Sequence, residues 1–126
     1  MSIEATVRNM LTTASGMSVP DQRITLGYRL QDSVLPAITF EVTSTEKVSF
    51  DFGYSCEVEL RAIAETTTEA LDISAELQGA VRTGTWQTLQ VTAALWLGTR
   101  VEPPSPGEGD ESMPAEVICT AQLFYK

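Results

Sequence analysis

The chain has 126 residues, 43% of them hydrophobic and 20% charged, a composition that fits one folded domain with a real hydrophobic core. No apolar run approaches the roughly 18 residues of a membrane span, and the first residues lack the pattern of a signal peptide, so we expect no membrane partner. The formal net charge of −9 argues against tight nucleic-acid binding, because an acidic surface repels phosphate.

Apolar residues recur with helical spacing at the start of the chain, and this spacing predicts a first helix that Ser2 caps and Gly16 ends. The apolar stripe of that helix is formed by Ile3, Val7, Met10, Leu11 and Ala14. Residues 17–35 are irregular in pattern, with a weak strand signal over residues 23–28.

An alternating pattern fills the middle of the chain. Leu35 and Pro36 open a strand over residues 38–43, residues 44–47 are predicted to form a hairpin turn, and a long strand follows over residues 48–64. The apolar parity of the long strand contains Val48, Phe50, Phe52, Tyr54, Cys56, Val58, Leu60, Ala62 and Ala64. Such alternation is typical of one buried and one solvated face. The hairpin's polar face carries Glu41, Glu57 and Glu59.

A helix is predicted after the long strand. Thr66 and Glu69 fit a capping box, in which the hydroxyl accepts an orphan backbone amide. The helix then covers residues 69–82, and Gly84 is its expected stop. Its apolar stripe is Ala70, Ile73, Leu77, Ala80 and Val81.

The pattern of the last third of the chain predicts two more strands, joined by a long acidic loop. Residues 89–102 alternate, with leucines and valines on one parity and Trp96 on the other, and residues 115–125 alternate again. Residues 103–114 hold four of the six prolines and are expected to form a solvated loop. The predicted class is α+β: an antiparallel sheet of four strands, or slightly more, with two helices on one face.

Nothing in the sequence argues for an enzyme, and we expect no cofactor or metal. The chain has no histidine, which removes the commonest general base and most zinc sites. Cys56 and Cys119 lie in apolar strand patterns, and two buried thiols are favoured over a disulfide. Glu57 and Glu59 fit a solvated strand face better than a catalytic carboxylate pair.

Two further groups of residues have alternative interpretations. Glu108, Asp110 and Glu111 in the loop could bind a divalent cation. A Pro/Gly-rich segment makes a poor site, however, because calcium needs preorganised oxygen ligands. Phe50 and Phe52 are either core residues or anchors for a partner, because aromatic side chains dominate both kinds of contact.

The succession of elements resembles a known family. The resemblance rests on five segments: the first amphipathic helix, residues 35–40 (Leu-Pro-Ala-Ile-Thr-Phe), the strand over residues 56–64, the helix over residues 69–82 and the last strand over residues 116–125. This layout resembles the small tail-terminator or tail-completion proteins of tailed phages, a fold group that includes head–tail joining proteins. The resemblance covers nearly the whole chain, apart from residues 17–35 and 103–114.

The resemblance implies a structural virion protein of the tail or neck, assembled in the host cytoplasm. It implies a homo-oligomeric, hexameric ring on the tail tube that docks to the head connector or neck proteins, possesses a DNA-conducting lumen and has the sheath as a further partner. Glu41, Glu57 and Glu59 are then candidates for an acidic lumen lining that DNA passes without adhesion. The loop over residues 103–114 is expected to order against a neighbouring virion protein.

A cyclic ring needs two different complementary patches on each subunit. The first 36 residues hold equal numbers of acids and bases, whereas the remainder carries the whole net charge. The prediction is a subunit interface in which Arg8, Arg23 or Arg29 meets the acids of a neighbour, with Phe50 and Phe52 as apolar contacts. Such an interface should weaken as salt rises.

Three other interpretations stay open. A connector-side head–tail adaptor or neck protein shares the layout. A small hydrolase or ligand-binding domain would need a pocket with convergent polar groups, which the sequence does not display. A monomeric inhibitor whose acidic surface mimics nucleic acid would bind a basic partner and would not self-associate.

Overall fold

The computed structural model describes residues 3–14, 17–27, 34–49, 53–83, 91–103, 105–106 and 112–125. In chain order these form α1 (Ile3–Thr13), β1 (Ile24–Leu26), β2 (Ala37–Ser49), β3 (Gly53–Ala64), α2 (Thr67–Thr83), β4 (Val91–Glu102), β5 (Ser105–Pro106), β6 (Ser112–Met113) and β7 (Ala115–Tyr125). A 3₁₀ turn, Asp21–Arg23, precedes β1.

The main sheet has five strands in the order β1-β2-β3-β7-β4. Its β2–β3, β3–β7 and β4–β7 pairs are antiparallel, whereas β1 lies parallel to β2. The predicted α+β class is confirmed, and the weak signal before residue 28 corresponds to the short fifth strand.

Both helices cover the same face of the sheet. Val7 and Met10 of α1 and Val81 of α2 line one small apolar cavity together with Val58, Leu60, Ala121 and Leu123 of the sheet. The predicted stripes of both helices supply the core, because their spacing places these apolar side chains on one side of each helix. In the segment after α1, the backbone amide and hydroxyl of Ser18 both donate to the carboxylate of Glu76, which ties this segment to α2.

The cap of α2 forms as predicted. The backbone amide of Glu69 donates to the hydroxyl of Thr66 over 3.2 Å, and the amide of Ala70 donates to the Thr66 carbonyl over 3.1 Å. The helix begins at Thr67, slightly before the predicted residue 69. Capping matters here because the first amides of a helix have no partner within it.

The predicted position of the β2–β3 turn is wrong. Residues 44–47 continue β2, and they pair with Glu57, Cys56, Ser55 and Tyr54 of β3. A register shift between Val42 and Ser44 leaves Thr43 as an extra residue, which reverses the parity of β2 beyond that point. A run of polar residues suits a turn, but polar side chains also fit the solvated face of a strand, and here they continue β2. Phe50 and Phe52 lie outside the described residues.

The predicted acidic loop contains regular structure at its base. Ser105 pairs with Met113 and Pro106 pairs with Ser112, so β5 and β6 form a short antiparallel ladder where an irregular loop was expected. Glu108, Asp110 and Glu111 lie outside the described residues.

Both cysteines are free and buried, as predicted. Cys56 pairs with Leu123 and Cys119 pairs with Leu60 across the β3–β7 ladder, so each thiol lies on the helix-covered face. Burial raises the pKa of both thiols to about 11, which keeps them protonated and unreactive near neutral pH.

Candidate functional surface

The face of the sheet opposite the helices carries the predicted lining residues. We call it the outer face and define it by the registers of β2, β3, β7 and β4, since residues paired across a ladder lie on one side. Its described members are Ala37, Thr39, Glu41, Ser44, Glu46, Gly53, Ser55, Glu57, Glu59, Arg61, Ile63, Glu116, Ile118, Thr120, Gln122, Phe124, Ala93, Leu95, Gly98, Arg100 and Glu102.

The three predicted carboxylates come together at the middle of the outer face. Glu41 pairs directly with Glu59, and Glu57 lies two residues from Glu59 on the same strand. Neighbouring strands are about 4.8 Å apart, and alternate residues of one strand are roughly 7 Å apart. Glu41 is exposed, whereas Glu57 and Glu59 are half-buried. The register shift also brings Glu46 to this face, opposite Ser55. The result is a compact acidic band.

Arg61 reduces the charge at one end of the band. Its guanidinium contacts the Glu59 carboxylate at 2.7 Å and the Glu116 carboxylate at 3.3 Å. Partial burial lowers the pKa of Arg61. The hydrogen bond to Glu59 and the negative charges of Glu59 and Glu116 raise it by more, so the pKa of Arg61 lies above its ordinary value. The charge of Glu59 is therefore partly neutralised. The sequence interpretation above does not include this contact. The same-parity spacing of Glu59 and Arg61 was a usable signal; the contact with Glu116 needed the β3–β7 register.

The outer face is not solvated along its whole length. Ala37, Thr39, Ile63 and Ile118 are all buried and occupy two adjacent rows at one end of the sheet. The acidic band begins in the next row, at Glu41 and Glu59, and continues through Ser44 and Glu57. At this end of the face the carboxylates are the half-buried Glu116, which contacts Arg61, and the exposed Glu102, which contacts Arg100, so each has a basic neighbour.

The edge strand β4 presents exposed apolar side chains. Leu95 and Leu97 are each 49% exposed and Val101 is 43% exposed, whereas Ala94 and Trp96 pack against the core. The predicted single alternation is broken by two register shifts, one between Val91 and Ala93 and one between Trp96 and Gly98. Leu95 pairs with Gln122 on the outer face, Leu97 is the extra residue at the second shift, and Val101 pairs with Val117 on the helix-covered face.

The predicted interface arginines occupy the β1 side of the molecule. Arg8 is exposed on α1, and Arg23 is half-buried at the end of the 3₁₀ turn that leads into β1. Arg29 lies outside the described residues, so its place in an interface stays a prediction. Contacts between α1 and both β1 and β2 bring the elements that carry Arg8 and Arg23 into one region.

The described residues contain no group of three or more metal-ligating side chains placed to hold an ion. The cavity between the helices and the sheet is lined by apolar side chains, which offer no polar group for orienting a substrate. In the part of the chain that the structure describes, no helix has the length and apolar character needed to cross a membrane.

Comparisons with known proteins give a structural likeness without a sequence relative. No family model matches the sequence, and no curated protein matches it. A solved chain from the virion of a native gene transfer agent (GTA) particle has a similar structure, with a TM-score of 0.64 and 8% sequence identity. The match covers 98% of this chain and 95% of that chain. At this identity the likeness concerns the fold.

Proposed function

We propose that the protein is a structural component of a phage-like virion: a ring-forming tail terminator that caps the tail tube and joins the tail to the head connector. The observation that carries the proposal is the similarity of fold, over nearly the full length of both chains, to a chain of a gene transfer agent virion. The fold similarity supports the coarser class, a virion protein, and the tail-terminator role rests on the resemblance of the sequence to that family.

The acidic band supports the further proposal that DNA passes through the ring. Glu41 and Glu46 are exposed on the outer face, with the half-buried Glu57 and Glu59 beside them. Carboxylates that line a lumen repel the phosphate backbone, so DNA moves through without adhering. The arginine of this band, Arg61, is held by two carboxylates and is therefore less available to phosphate.

We also propose that the protein is not an enzyme and acts through its partners alone: further copies of itself, the tube protein, and the connector or neck proteins, with the sheath as another candidate. The absence of histidine and the raised pKa of both thiols support this view. The proposed location is the tail or neck of the virion, after assembly in the host cytoplasm.

The test is the mass of the purified protein by light scattering, with and without tail tubes, followed by electron microscopy of the tubes. The proposal expects a ring-sized species, or a monomer that forms a ring on the tube end, and it expects capped tubes that no longer elongate. A ring that binds isolated connectors and ignores tubes would instead favour the connector-side adaptor. A monomer that is indifferent to both would reject the proposal.

The lumen is tested by charge reversal. Glu57→Lys in the acidic band should leave the ring mass unchanged but lower the amount of DNA that completed particles transfer, because a cation there retains phosphate. Glu65→Lys is the matched control, since Glu65 is exposed just beyond the end of β3. Equal DNA transfer by both variants would contradict a lumen at the outer face.

A further inference from the structure

Among the described residues, β1 and β4 are the outer strands of the sheet, and both edges carry exposed apolar side chains. Seven large hydrophobic side chains of the described residues are exposed. Three belong to β4, namely Leu95, Leu97 and Val101. Two lie at the opposite side of the sheet: Leu26 on β1, which is 51% exposed, and Val34, just before β2. Clusters of this kind mark contact surfaces better than single exposed residues do.

The β4 edge lacks the charge protection that isolated edge strands usually have. It is 12 residues long, and in the described part of the sheet it pairs on one side only, with β7. Its two charged residues, Arg100 and Glu102, lie 3.5 Å apart and offset each other. Proteins that keep such an edge free commonly place lysine or unpaired charge there. A neutral, apolar edge fits a strand that another chain covers.

Electrostatics indicates that the covering chain is a second copy of this protein. Two copies that each carry −9 repel each other across most of their surfaces. The outer face holds the acidic band, and α2 exposes further acids such as Asp72. The β4 edge is neutral, and at the β1 side Asp21 is accompanied by Arg23. The two edges are therefore surfaces where identical chains approach with little repulsion.

The strand directions suit contact between unlike edges. β2 and β7 run in one direction, β3 and β4 run in the other, and β1 runs with β2. When copies are related by rotation about an axis along the strands, β4 of one copy is antiparallel to β1 of the next, which is the more stable ladder. Because the two edges differ, the contact is heterologous and repeats around a ring. Every outer face then points to the same side.

We propose that the β4 edge of one subunit docks on the β1 edge of the next: Val101 packs near Leu26 on the helix-covered side of the joined sheet, and Leu97, at the register shift of β4, is covered by the same contact. The inference deepens the proposed ring and rests on it for its biological role. In this inference the subunit contact is formed by apolar side chains. In the interface predicted from the sequence it is formed by arginines and acids. The two versions differ in the sign of their salt dependence. A neutral apolar contact between acidic chains strengthens with salt because repulsion is screened, and an arginine–carboxylate contact weakens.

The experiment compares three leucine-to-glutamate variants by light scattering across protein and salt concentrations. Leu97→Glu blocks the β4 edge and Leu26→Glu blocks the β1 edge. Leu71→Glu is the matched control, because Leu71 is 43% exposed on α2 and belongs to neither edge strand. Thermal unfolding verifies that each variant is folded. Val101→Glu replaces Leu97→Glu if that variant fails to fold.

We expect wild type and Leu71→Glu to associate alike, and each edge variant to associate at least about tenfold more weakly, because the contact no longer buries the exposed half of the leucine and would take a glutamate carboxylate out of water. An equal mixture of Leu26→Glu and Leu97→Glu should form dimers only, through the one intact pair of edges. Edge variants that associate like wild type, a mixture that stays monomeric, or a wild type that is monomeric at every salt concentration both alone and with tail tubes would overturn the inference. Dimers of Leu26→Glu alone would overturn it too, since they require contact between two β4 edges.

The same variants separate this inference from the proposed function. Association that depends on both edges, in a protein that does not bind tail tubes, upholds the edge contact and rejects the tail-terminator role. Tube capping by a ring that both edge variants still form upholds the role and overturns the edge contact.

Discussion

Replacing Gly79 with alanine should stabilise the protein, because this glycine lies inside α2 without a structural need for glycine. The residue is exposed, and a Cβ at this position meets no atom within 4 Å. Glycine inside a helix costs about 0.5–1 kcal/mol relative to alanine, chiefly through backbone entropy. Gly79→Ala should therefore raise the free energy of unfolding by about that amount, which corresponds to roughly 2–5 °C in the melting temperature of a domain this size.

Gly27 provides the matched control with the opposite expected sign. It is also exposed, and a Cβ there again meets nothing within 4 Å. Its φ angle is +83°, however, and its backbone amide donates to the carbonyl of Phe40 over 2.8 Å, which holds the chain in this conformation after β1. A residue with a side chain costs roughly 1–2 kcal/mol in left-handed backbone. Gly27→Ala should therefore lower the free energy of unfolding, although steric space is equal at both sites.

Urea unfolding followed by tryptophan fluorescence measures both variants, at a protein concentration below that of self-association so that assembly does not add to the stability. A change in the midpoint with an unchanged slope reports a change in stability. Shifts of the same sign for both variants would refute the reasoning, since open space alone would then govern the outcome. A destabilised Gly79→Ala would show that the helix requires glycine there.

Three further predictions concern stability. Thr66→Ala should lower the free energy of unfolding in urea by about 1 kcal/mol, because it removes the cap of α2. Thr66→Ser keeps the hydroxyl and should unfold like wild type, so equal urea midpoints for the two variants would contradict the cap. Arg61→Met should lower the free energy of unfolding by roughly 0.5–1 kcal/mol at low salt and by less at high salt, because salt screens exposed ion pairs. A loss of stability that does not depend on salt would contradict the ion pairs as its cause. The thiols of Cys56 and Cys119 have pKa values raised from 9.0 to about 11, so their contribution to stability is complete below pH 9 and is lost as pH rises towards 11. Unfolding should therefore become easier by up to about 1.4 kcal/mol per pH unit for each thiol in that window, and replacing both by alanine should flatten the slope; an unchanged slope would contradict their burial as the cause.

Several features of the fold were predictable because they follow from spacing along the chain. The apolar stripe of α1, the alternation of β3 and the stripe of α2 each repeat with the period of their element. Thr66 and Glu69 identified the cap, since both partners lie within one helical turn. The burial of Cys56 and Cys119 followed from their apolar parity.

The candidate surface was predictable only in part. Shared parity placed Glu57 and Glu59 on one face, and the β2–β3 register confirmed Glu41 beside them. The same reasoning did not find that Arg61 joins Glu59 to Glu116, because Glu116 belongs to a strand 55 positions further along the chain. It also did not find the covered end of the outer face, where Ile63 and Ile118 are buried.

The sequence by itself determined the type of most elements and which side chains share a face, because these depend on local period and on caps formed by close neighbours. The tertiary structure alone decided the strand order, the parallel pairing of β1, the extension of β2 to Ser49, and which residues of β4 lie on the helix-covered face on either side of its register shifts. Each of these depends on pairing between segments far apart in the chain. An alternating strand is equally regular whichever face is buried, and only the neighbouring strands and helices break that symmetry.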